Sequence, residues 1–136
     1  MDTRQWTHIL TLLSVAVTID NRVYKEEVDM FVEQAFSLKD VISPDMIFSK
    51  KMAFDWFVVH RDEIKAWVAD IDAHTIILRH ILALGDSPFC KEILAAIYAI
   101  ANVDGEYHPS EVDVIGMACK HWHLPCLLYT SDAADE

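Results

Sequence analysis

The sequence of 136 residues has little of several things. Only 3 Gly and 4 Pro are present, too few for a collagenous, linker-like or low-complexity chain. An all-β sandwich, which needs many turns, is disfavoured for the same reason. The three cysteines, Cys90, Cys119 and Cys126, are scattered, so no disulfide framework is implied and a reducing compartment suits them. No apolar run approaches the ~18 residues of a spanning helix. The start, MDTRQWTHIL, has no signal-peptide layout, so a cytoplasmic protein without a membrane segment is expected. Basic residues are scarce: 11 Lys and Arg face 22 Asp and Glu, a net charge of −11. That excess repels phosphate backbones, so nucleic acid is not an expected partner.

What is present is apolar, 53% of the chain, and its length suits one domain. Such a chain can bury a core without disulfide or metal staples.

The last eleven residues, Cys126–Glu136, break the pattern before them. They read CLLYTSDAADE, a short apolar stretch followed by small and acidic residues without amphipathic period. Back-translated, this peptide resembles a transposase-type sequencing-library adapter along its whole length. Residues 126–136 are therefore expected to be a non-native tail, with the natural C-terminus missing. Residues 1–125 form the domain, and it stays acidic without Asp132, Asp135 and Glu136.

Apolar residues recur at helical spacing throughout. Trp6, Ile9, Leu10, Leu13 and Val17 predict a helix over 3–19. Val28, Phe31, Val32 and Ala35 predict a second over 25–38. Ser43-Pro44 pairs a capping hydroxyl with proline and is read as the start of a third, running towards His60. Within it, FDWFVVH has the composition of a buried strand but lacks a partner strand. After polar His60-Arg61-Asp62-Glu63, a fourth helix carries Ile64, Trp67, Val68 and Ile71. A fifth carries Ile77, His80, Ile81 and Leu84 and ends at Gly85. Ser87-Pro88 opens a sixth, to about Asn102, apolar nearly all round and so expected to be central. Pro109 opens a seventh with Val112, Ile115, Cys119 and Trp122 on one face. The four tryptophans, Trp6, Trp56, Trp67 and Trp122, lie in or beside these stripes and are expected in the core, with Trp122 near an unfinished edge.

Residues 18–29 align without gaps to 102–113. Asp20, Glu27, Val28 and Asp29 match Asp104, Glu111, Val112 and Asp113. Leu13, Ala16, Ile19 and Phe31 face Ile97, Ile100, Val103 and Ile115, apolar in both copies. The expected fold is all-α: a single-domain bundle of about seven helices with two pseudo-repeated αα-hairpins.

The second copy, ANVDGEYHPSEVDVIGMACKHW, resembles the TerB-like family. That family comprises tellurite-resistance TerB proteins and the N-terminal domain of a DnaJ-like membrane co-chaperone. The matching pattern is a helix ending in an Ala-Asp-Gly-like turn and an acidic helix start with Glu, here Asn102-Val103-Asp104-Gly105 and Ser110-Glu111. The sequence departs from it with Val103 in place of Ala and Asn21 in place of Gly. The resemblance covers most of residues 5–123. It implies an all-helical domain, acidic metal-binding-type surfaces and a role in stress response. No His-Pro-Asp tripeptide of a co-chaperone catalytic domain occurs.

The candidate metal residues are Asp20, Glu27, Asp104 and Glu111. Carboxylates flanking a tight turn can converge on a hard divalent cation such as Ca²⁺; Zn²⁺ is the other ion considered. As an EF-hand, with Gly105 sixth, Asp104 and Glu111 stand fifth and twelfth, but the first position is Ile100 in one copy and Ala16 in the other. Neither loop supplies a complete ligand set. Turn and cap chemistry explains the same acids. Asp-Gly is a turn signal, and a Glu near the third residue of a helix meets free backbone N–H groups and the positive helix end.

Cys119 and His123, four apart with His121 between them, have zinc-ligand spacing, yet Cys119 also belongs to an apolar stripe, where cysteine is usually a small buried hydrophobe. No nucleophile elbow, phosphate-binding loop, dinucleotide fingerprint or metalloprotease helix occurs. The expected function is therefore non-enzymatic: a protein-interaction adaptor with an unidentified protein partner, or else a module binding a divalent cation.

Overall fold

The computed structural model describes residues 3–19, 25–103 and 109–125. They form six helices: α1 (Thr3–Thr18), α2 (Lys25–Ile42), α3 (Lys50–Val68), α4 (Ala73–Ala83), α5 (Cys90–Ala101) and α6 (Pro109–His121). No strand occurs among the described residues, so FDWFVVH is helical, within α3.

Two expected elements are one. The predicted third and fourth helices merge into α3. His60-Arg61-Asp62-Glu63 carries neither Gly nor Pro, and a polar stretch on an exposed helix face does not end a helix. The buried stripe of Ala53, Phe57 and Ile64 runs straight past it. Ser43-Pro44 does not start this helix, either. Helix α2 continues to Ile42, and the cap is Ser49, whose Oγ accepts the Met52 N–H at 3.1 Å. Ile71, expected on a helix stripe, lies between α3 and α4 and is 98% exposed.

The central helix is also not the expected one. Helix α1 packs against α2, α3, α4 and α5. Its residues from Ile9 to Thr18 are all buried. Two of its polar members bond within the helix, where the Thr11 and Thr18 hydroxyls donate to the Thr7 and Ser14 carbonyls. Helix α5 buries one face, Ile93, Ala96, Ile97 and Ile100, against this core and leaves another uncovered.

Around α1, each helix contributes one stripe. Helix α2 supplies Phe31, Ala35, Leu38 and Ile42, and the Phe31 ring meets Phe57 of α3 at 5.4 Å between centroids. Helix α4 supplies Ala73, Ile77 and Ile81. Helix α6 supplies Val114, Ile115, Ala118 and Cys119 and packs on α4 and α5. Trp122 is buried beside α4, rather than at an open edge.

Candidate functional site

Glu27 and Glu111 occupy the same position in their helices. Each is the third residue, of α2 and α6 respectively. Both are almost fully buried, 3% and 2% exposed. Every fourth or third residue faces the core on these helices, and the stripes Glu27, Phe31, Ala35 and Glu111, Val114, Ile115 begin on the acid. The carboxylate thus enters the core edge at the positive end of its helix, where backbone N–H groups lack intrahelical partners. Asp20 and Asp104 lie outside the described residues, as do the turns at 20–24 and 104–108. Among the described residues, no three His, Cys, Asp or Glu side chains are grouped to hold a metal ion.

The Cys119 and His123 pair does not share a helix face. Cys119 is buried on α6, whereas α6 ends at His121. His123 lies beyond it, exposed, in the left-handed region with φ 56°. Cys90 is no better as a nucleophile. Burial pushes its thiol up, and the Glu92 and Asp86 charges act in the same direction. Its Sγ donates to the Leu84 carbonyl at 3.1 Å, so the thiolate that chemistry needs is disfavoured.

The feature that sequence reasoning missed is a groove of about 870 Å³ along the uncovered face of α5. Lys91, Leu94, Ala95, Tyr98, Ala99 and Asn102 form its floor, at spacings of three and four that trace one stripe over nearly three turns. Met30 of α2 forms one wall; Val103 and the Leu124-Pro125 segment after α6 complete the lining. The volume is that of an ordinary binding cleft, and the lining has the usual character, mostly apolar with a few polar groups. Lys91 stands at one end and Asn102 at the other. Among the described residues Lys91 joins no ion pair, unlike Lys25, Lys39, Lys50 and Lys51. The sequence did hold the signal. A helix apolar nearly all round has two faces to cover, and only one of them faces the core.

A second apolar surface lies on α3, where Met52, Phe54, Val58 and Val59 are between 42% and 73% exposed. The α5 groove, with a floor and walls from α2 and the segment after α6, is the better-defined site.

No helix of the described residues is long and apolar enough to cross a membrane. Compared with protein-family models, with curated proteins and with solved structures, the chain finds no match in any of the three.

Proposed function

We propose that this chain is a TerB-like, non-enzymatic cytoplasmic module that binds another protein through the α5 groove, in the stress-response setting to which its sequence resemblance points. In this reading α1–α2 and α5–α6 are two copies of one αα-hairpin, and the acids at their turns are structural. The observation that carries it is the uncovered stripe from Lys91 to Asn102. It is about 16 Å long at the helical rise, the length of a three-turn helix. Ala95 and Ala99 at its centre let another backbone approach closely, and Met30 and Leu124, both half-buried, supply apolar contacts, while Leu94 at the floor is largely buried. The partner segment that fits is an amphipathic helix, its apolar face inward and a carboxylate at the Lys91 end. The perturbed thiol of Cys90 and the absence of a catalytic motif are consistent with a role in binding.

The test is selection from a displayed library of amphipathic helical peptides, with every binder re-measured against Ala95→Arg. Ala95 is exposed, so arginine there fills the groove without touching the core. Binders that lose tenfold or more in affinity to the variant support the reading. If no peptide binds, or if binders ignore the variant, the groove is not the interaction surface.

The cation-binding alternative rests on one observation, the matching burial of Glu27 and Glu111 at matching helix positions. Their place at two helix N-termini explains that burial equally well, so the adaptor reading is preferred.

A further inference from the structure

Two histidines from different helices meet at the upper half of α1. The Nδ1 atoms of His8, on α1, and His80, on α4, are 2.8 Å apart. Their ring centroids are 5.0 Å apart, and the Trp67 ring of α3 lies nearly parallel to His80 at 6.0 Å. Three helices therefore converge on one half-buried imidazole pair.

A contact of this length between two ring nitrogens requires that one donate and the other accept. The acceptor must be a neutral imidazole. The pair can consequently be neutral, or hold one extra proton in the bridge, but with two extra protons it has no acceptor and sets two cations against each other. We propose that the His8–His80 bridge is an acid-released latch: it tightens the first half of α1 against α4 until both rings are charged, and then leaves that half to its apolar packing alone.

The surroundings favour such a device. Burial, then the charge of His8, then that of Arg79 on the same helix push His80 from its usual 6.5 down to about 4. Helix α1 brings His8; α4 brings Arg79; α3 brings the uncharged Trp67 ring; and α6 reaches α4 through Trp122, which is bound to the Ile81 carbonyl. Among the described residues, no carboxylate is among the groups acting on His80. The sign follows from linkage. The unfolded ring takes its proton near 6.5, while the folded one waits until about 4. The latch therefore contributes fully above pH 6.5, loses its contribution as the pH falls between those values, and contributes nothing below about 4.

Release would be local. The second half of α1, from Leu13 to Thr18, carries no titratable side chain; Trp6, Ile9, Leu10 and Leu12 of the first half are buried as well, so release means weaker protection of these turns and not their detachment. Loosening is confined to the turns around Trp6–Leu12.

The experiment is a proton-NMR titration of the histidine rings in the wild-type chain, with hydrogen exchange of α1 amides. His80 should titrate near pH 4, and in His8→Gln its midpoint should rise measurably while staying below 6.5, since burial remains. Between pH 6.5 and 4, protection factors at Leu10–Leu12 should fall at least tenfold further than those of α2 and α5. In His80→Phe, which keeps a ring against Trp67, that extra loss should vanish. A wild-type His80 titrating at about its ordinary 6.5 overturns the proposal without recourse to any variant. So does a uniform fall in protection along α1, or an extra loss at Leu10–Leu12 that survives in His80→Phe.

Discussion

The indole of Trp122, just beyond α6, donates its N–H to the main-chain carbonyl of Ile81 in α4 at 2.8 Å, across 41 residues of sequence. That carbonyl belongs to the last turn of α4, where no helical amide remains to satisfy it and, among the described residues, only the Leu84 N–H, at 3.2 Å, also approaches. A residue after the sixth helix thus finishes the end of the fourth. Trp122→Phe keeps a ring in place and removes the donor. The expected cost is about 1–2 kcal/mol, read as a lower urea midpoint with an unchanged slope. A midpoint equal to wild type would show that Trp122 acts by packing alone.

Ile97 is 1% exposed on the core face of α5, opposite the groove. Ile97→Ala should cost about 2–5 kcal/mol, because the residues around it cannot collapse into the space left. Thermal unfolding provides the check; a loss under about 1 kcal/mol would put Ile97 on the wrong face of α5.

Deletion of Cys126–Glu136 should leave the melting temperature unchanged, since the composition of that segment contradicts the helical pattern before it. A loss of even ~1 kcal/mol moves a domain of this size by several degrees. A drop of that size would mean that the tail covers part of the fold.

The acids separate the two functional readings. As a helix-end residue, Glu111 stabilises α6 alone, so Glu111→Gln should cost about 0.5–2 kcal/mol with no dependence on metal. As ligands, Asp104 and Glu111 would give wild type a gain in melting temperature with millimolar Ca²⁺ or Zn²⁺, by mass action on the folded state. Asp104→Asn and Glu111→Gln would both abolish that gain. The expected outcome is no gain with either ion and a destabilised Glu111→Gln.

Much of the fold was legible because apolar spacing is set by helix geometry, and geometry does not depend on context. The bounds of α1 differ from expectation by one residue, and Pro109 opens α6 as its fixed φ predicts. Punctuation was less legible. Ser43-Pro44 has a cap's chemistry without a cap's position, while Ser49, unremarkable in sequence, does the capping. Residues 60–63 look like a break only if polarity is taken for flexibility. On α6 the buried face includes Val114 and Ala118 and leaves Val112 only half-buried, a rotation by part of a turn that spacing alone cannot resolve. The groove was hidden for a different reason. Whether an apolar face is covered depends on which other helices reach it, and that is a property of topology. The two glutamates were singled out by their repetition, which could not show that both would be buried.

The burial of α1 bears on the order of events at synthesis. Ten consecutive residues, Ile9 to Thr18, are covered by helices that extend to Ala101. This segment acquires the last of its cover, α5, only after about eighty further residues have been made. In the interval it is a partly covered apolar segment of an unfinished chain, the kind of surface that aggregates or recruits a holding chaperone. A chain released before α5 would keep part of that surface exposed, so its fate would be decided by α1 rather than by whatever it lost.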